Sequence, residues 1–172
     1  VLRYQRPEQM IGGTTMTTMT GTMSVNAAFM QEIKQENQRL RDLLEAARRL
    51  TRQSVEQNGH PRQLVELLGE LCDQLALHFS LEESYGYFED AIDAAPRMAE
   101  RAESLRSEHV TLFDKIRAIA DDADEAVRRQ LPHVMEFIAR RFCDFDAALG
   151  HHESQENALI LEAFDEDIGV GD

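Results

Sequence analysis

From residue 27 onward, apolar side chains recur at alternating steps of three and four, the spacing that keeps one helix face turned toward a partner. Four such stripes follow one another. The first spans about residues 27–55 and carries Met30, Ile33, Asn37, Leu40, Leu44, Ala47 and Thr51; it gives out at Asn58-Gly59-His60-Pro61, where Gly and Pro punctuate the chain. The second, about 62–91, aligns Leu64, Leu68, Leu71, Leu75, His78, Glu82 and Tyr85 and stops near Asp93-Ala94-Ala95-Pro96. The third, about 97–120, aligns Met98, Ala102, Leu105, His109, Leu112, Ile116 and Ile119. After it, the acidic run Asp121 to Glu125 opens either a loop or the first turn of a short connecting helix, where carboxylates complement the helix dipole. The fourth begins near Pro132, a residue suited to a first turn, and aligns Met135, Ile138, Phe142, Phe145, Leu149, His152, Glu156, Leu159 and Ala163. With no strand pattern and no internal repeat, these stripes predict an all-α chain folded as an antiparallel up-down four-helix bundle over residues 27–172.

Burial alone would make each stripe apolar throughout, and none is. Asn37 interrupts the first, His78 and Glu82 the second, His109 the third, His152 and Glu156 the fourth. A buried carboxylate without a partner protonates or is expelled from the core, so these residues converging in one bundle need a shared reason. A metal cation supplies it: its charge cancels the carboxylates, and coordination replaces the water they lost. Residues four apart share a helix face, so His78 with Glu82 and His152 with Glu156 each present two donors to one point. Glu83 and His151 are rotated by roughly 100° from those pairs and are expected at the bundle edge. Imidazole with carboxylate suits iron, manganese or zinc, and carboxylates able to bridge suit a two-metal centre.

The polar positions sit at matching heights on the first three stripes. The fourth fits less well, because His152 lies much farther from Pro132 than His109 lies from the acidic run, a mismatch of roughly 12 Å at ~1.5 Å per residue. Either the fourth helix overshoots the bundle end, or residues 121–132 lengthen the third.

Composition narrows the partners. The 172 residues suit one domain, and 42% hydrophobic against 29% charged, with few Gly and Pro, fits a helical globule. The formal charge of −14 repels phosphate backbones and anionic lipid, which argues against nucleic acid and membrane partners. No apolar run is long enough to span a bilayer, no secretory signal is recognisable, and Cys72 and Cys143 read as free buried thiols in a reducing compartment, so a cytoplasmic location is expected. Residues 1–26, with the Thr/Met/Gly tract at 10–24, are expected to form a disordered tail, and translation could begin at Met10, Met23 or Met30.

In "HFSLEE" at 78–83, the single His109 in "LRSEHVTLFDKI" and "HHESQENALILEAF" at 151–164, the chain resembles the hemerythrin-like (HHE cation-binding) family over about residues 27–172. That resemblance implies a four-helix bundle around a non-haem di-iron centre, with histidines from all four helices and two bridging carboxylates. Carried over, it makes His78 and Glu82 ligand and bridge on the second helix, His109 the ligand on the third, and His152 with Glu156 ligand and bridge on the fourth. Two positions depart from the family. Asn37 stands where the first helix usually offers a histidine, and Phe113 where the third helix often offers a second one. An amide oxygen is a poor iron ligand beside an imidazole, so one of two iron ions is expected to bind weakly, to take water instead or to be missing.

The expectation is therefore an iron-binding protein, mononuclear or di-iron, that takes O2 or NO at an open coordination position and is not primarily an enzyme. A di-iron oxidase or peroxidase using the same ligands, and a metal-free acidic module that docks a basic partner, are the competing expectations.

Overall fold

A computed structural model describes residues 35, 37–53, 60–84 and 88–165. The expected tail, the possible start sites, Met30, Ile33, Gly59 and Tyr85 lie outside the described residues. The first helix, α1, occupies residues 37–53. It is followed by α2 (Pro61–Ser84), the short α3 (Glu89–Ala94), α4 (Ala99–Arg128) and α5 (Met135–Asp165), with single 3₁₀ turns at Pro96–Met98 and Pro132–Val134. The described residues contain no strand, and none of their helices is long and apolar enough to cross a membrane.

The helix boundaries follow the local chemistry. Pro61 opens α2, and Pro96 and Pro132 open the 3₁₀ turns that lead into α4 and α5, where a missing N–H costs nothing. Glu100 in the first turn of α4 and Arg128 in its last complement the peptide dipoles. The chain leaves α4 through Gln130 at φ 57°, with Leu131 N–H donating to Ala126 O at 2.8 Å and Gln130 N–H to Val127 O at 3.2 Å, which satisfies the last carbonyls.

Two expected boundaries are corrected. The second stripe does not run as one helix to residue 91: Phe88 stands in a turn between α2 and the separate short helix α3. The acidic run is neither a loop nor a new helix. Asp121, Asp122, Asp124 and Glu125 belong to α4, where Asp122 pairs with Arg141 of α5 and Glu125 with Arg128 and Arg129. This extension removes the height mismatch, because the stretch from His109 to Arg128 now nearly equals the stretch from Met135 to His152. Cys143 is also exposed rather than buried: it stands one position past the core residue Phe142, off the buried face of α5, while Cys72 is half-buried.

Packing joins α2 along α4, α4 along α5, and α3 against α5. Leu40, Leu44 and Ala47 bring α1 into the same core as α2, α4 and α5, and Arg48 donates two hydrogen bonds, at 2.7 and 2.8 Å, to Asp146 on α5. Thr51, at the end of the first stripe, is buried because its hydroxyl donates to Ala47 O at 2.9 Å.

The buried apolar residues form two clusters. The larger joins Leu64 to Phe79 of α2 with Leu112 to Ala126 of α4 and Met135 to Leu149 of α5. The smaller joins Phe88, Ala91, Ala95 and Met98 with Ala102 and Leu105 of α4 and Leu159 and Ala163 of α5. On α4 the gap between them falls at His109, and on α5 at His152 and Glu156. A single polar layer thus separates two dry ones, and α3 with its neighbouring turn helps to close the far side.

Candidate metal centre

Helix periodicity places the polar residues of this layer, and the apolar clusters on either side desolvate them. His78 and Glu82 stand one turn apart on α2, His152 and Glu156 one turn apart on α5, and His109 faces both from α4. His109, His152 and Glu156 are 1–3% exposed, and His78 and Glu82 no more than 9%. His78 Nε2 lies 3.2 Å from Glu82 Oε1, while Glu82 Oε2 lies 3.5 Å from His109 Nε2. The two oxygens of Glu82 are therefore shared between imidazoles of two helices. Glu156 Oε1 lies 3.4 Å from His109 Nε2 and 3.1 Å from His152 Nε2. One donor atom from each of His109, His152 and Glu156 falls within 4.8 Å of the others, a separation one cation can span.

Proximity here is not the same as satisfied hydrogen bonding. Glu82 Oε2 and His152 Nε2 have neighbours at ion-pair distance but none aligned for a hydrogen bond, and they are the buried side-chain polar atoms without one among the described residues. An unmet buried donor or acceptor costs about 1–3 kcal/mol, so two in one cluster mark a place where the protein chain alone does not complete the bonding. A cation completes it: the donor set is imidazole nitrogen and carboxylate oxygen, the mixture that suits iron, manganese or zinc.

The electrostatics are those of anionic groups crowded out of water. Burial pushes the Glu82 carboxyl well above the usual carboxylate range, and the neighbouring Glu156, Glu153 and Glu83 add to the rise. Burial would raise Glu156 as well, but His109 and His152 beside it outweigh that and hold it below the ordinary range. Glu82 is the carboxyl that keeps a proton, and Glu156 the one that stays ionised. Burial pushes the His78 imidazole down to about 4, keeping it neutral, and the nearby imidazoles reinforce this against the pull of Glu156. His152 moves the other way: burial would lower it, yet Glu156 on one side and Glu108 on the other raise it.

The ring nitrogens facing away from the cluster are also held. His109 Nδ1 lies 3.2 Å from Glu83 Oε1, and His152 Nδ1 lies 3.1 Å from Glu108 Oε2. Each carboxylate accepts, so each imidazole donates through Nδ1 and, when neutral, turns an unprotonated Nε2 inward. Phe79 fixes the ring planes, stacking on His109 at 4.1 Å and 6° and meeting His152 edge-on at 6.0 Å.

The expected His78, Glu82, His109, His152 and Glu156 are all brought together. Asn37 is half-buried and lines a cavity of about 170 Å³ with His78, Glu82 and Glu156, but no hydrogen bond or ion pair ties it to them. Phe113, at the other departure, packs against the larger apolar cluster. His151 is exposed, as its rotation predicts. Glu83 is half-exposed at the edge yet reaches His109, and Glu108, Phe79 and the cavity-lining Glu153 were not singled out from sequence. The available signal was adjacency: Phe79 follows His78, Glu83 follows Glu82, Glu108 precedes His109 and Glu153 follows His152.

Compared with known families, residues 29–164 match the hemerythrin HHE cation binding domain. No curated protein and no solved structure gives a match.

Proposed function

The chain belongs to the hemerythrin HHE cation-binding domain family, and from that membership and the geometry of its polar layer we propose that it is a non-haem iron-binding protein. Helices α1, α2, α4 and α5 form an antiparallel four-helix bundle; the core that α1 shares with the other three, and the donors of α2, α4 and α5 standing level, support that arrangement. The observation that carries the function is the pair of buried polar atoms without hydrogen bonds, Glu82 Oε2 and His152 Nε2, inside a cluster of three imidazoles and two carboxylates.

His109, His152 and Glu156 hold one ion, with Glu82 Oε2 turned toward it from the α2 side. Ferrous iron held there would supply affinity for a diatomic ligand such as O2 or NO. The protein's part is to fix the donors and exclude bulk water. Phe79 and the two apolar clusters keep the layer dry, and Glu83 and Glu108 hold the imidazoles with Nε2 inward.

Anaerobic loading of the full chain with ferrous iron, followed by gel filtration and metal analysis, tests this. The expected result is at least one iron retained per chain, lost in His152→Ala and kept in His151→Ala. Equal loss in the two variants, or no iron retained by the unaltered chain, overturns the proposal. Absorbance changes of the loaded protein on adding O2 or NO test the ligand.

A further inference from the structure

A pocket of about 660 Å³ lies away from the polar layer, between the start of α2 and the turn from α4 to α5. Pro61, Ala126 and Met135, which line it, are equally far in sequence from His78, His109 and His152 on their own helices, roughly 25 Å at ~1.5 Å per residue. Pocket and polar layer share no side chain. The turn shapes the opening. Gln130 at φ 57° reverses the chain, and Leu131 N–H donates back to Ala126 O at 2.8 Å, so residues on both sides of the turn border one space. Ring closure fixes φ at Pro61 and Pro132, which stiffens the walls in the absence of any ligand. Most of the lining is apolar. Ala126 and Met135 are buried members of the larger apolar cluster, and Leu131 packs on it.

The chain has 32 Asp and Glu among 172 residues and a formal charge of −14, yet none of the residues lining this pocket is acidic. Its cationic group is the Arg62 guanidinium, which makes no ion pair with any described residue and shares the lining with the His60 imidazole. Ligand pockets of this size are typically apolar with a few polar groups that fix orientation. A guanidinium beside an apolar hollow suits a ligand with a carboxylate at one end and a hydrocarbon body: the carboxylate takes two parallel hydrogen bonds from the fork, and the body leaves water for the apolar wall. We propose that the pocket binds a short fatty carboxylate, its hydrocarbon against Val127, Leu131 and Met135 and its carboxylate on Arg62. A neutral ligand forgoes the guanidinium, and a bare anion forgoes the wall. The proposal stands apart from the reading of the polar layer.

Calorimetric titration of the full metal-free chain with octanoate tests this, with octanol and inorganic phosphate as the comparisons. One saturable octanoate site per chain is expected. Octanol and phosphate are each expected to bind about tenfold or more weakly, because a hydrogen bond to a charged group and the burial of a hydrocarbon chain each contribute at least that factor. Arg62→Gln is expected to lower the octanoate affinity to that of octanol and to leave octanol binding unchanged, which also shows that the variant folds. Val127→Phe, which fills the pocket, is expected to weaken both. No saturable octanoate uptake overturns the proposal, including the case in which a second copy covers the opening in a dimer that Val127→Phe disperses. So does equal affinity for octanoate and octanol, phosphate binding as tight as octanoate, or an Arg62→Gln variant that binds octanoate as the unaltered chain does.

Discussion

At the scale of the residue, the informative contacts are those behind the cluster. Glu83 and Glu108 are half-exposed, so removing either costs little packing. Their hydrogen bonds to His109 and His152, however, decide which ring nitrogen faces inward. Partners of this kind are worth about 10–100-fold in metal affinity. Glu83→Ala and Glu108→Ala are therefore each expected to weaken iron binding by about that range while leaving the thermal midpoint of the metal-free protein nearly unchanged, as a competition titration and a melting curve would show. Proton balance gives a second check. Glu82 and His152 both hold protons more tightly than usual, for the reasons of burial and neighbouring carboxylates given above. A cation must displace such protons, so loading at pH 7 is expected to release the proton of Glu82, and affinity to rise with pH through neutrality and fall below it. His78, near 4, is already unprotonated and contributes no competition there. Calorimetry in buffers of differing ionisation enthalpy measures the release, and a net value of zero contradicts this account.

At the scale of the element, the length of α4 sets the register of the centre. Continuing through the acidic run to Arg128 lets His109 meet His152 at the same height, a result that periodicity alone left open between a longer third helix and an overshooting fourth. The acidic side chains can stay helical because arginines one turn on in α4 and Arg141 on α5 accept their charge. The helices also contain reserves of stability. Gly69 in α2 and Gly150 in α5 sit in helix interiors where an added Cβ meets nothing within 4 Å. Gly150→Ala, which trims unfolded-chain entropy, is expected to stabilise by about 0.5–1 kcal/mol in urea unfolding without altering iron uptake. A loss of stability would mean that α5 is not a continuous helix through Gly150 with open space beside it.

At the scale of the whole molecule, the design is two dry clusters on either side of one polar layer, inside a chain of formal charge −14. Without an ion the layer opposes folding, since it gathers buried carboxylates and two unmet polar atoms; an ion that binds only the folded chain reverses this. Free iron at a hundred times its dissociation constant is expected to add about 2.7 kcal/mol to the unfolding free energy, read as a raised melting midpoint, with no such shift in His152→Ala. The sequence by itself determined the helical class, the buried faces, and the inward pairs His78 with Glu82 and His152 with Glu156. Those follow from 3.6 residues per turn, a local property that needs no knowledge of neighbours. Only the tertiary structure decided what lies one residue off each seam. Glu83 reaches His109, Glu108 reaches His152, Glu153 turns into the cavity, and His151 faces water. All four are rotated by a similar angle from an inward residue, so periodicity treats them alike. Which of them meets another helix depends on how that helix is rotated and where it lies, and that is fixed by packing across the bundle rather than along the chain.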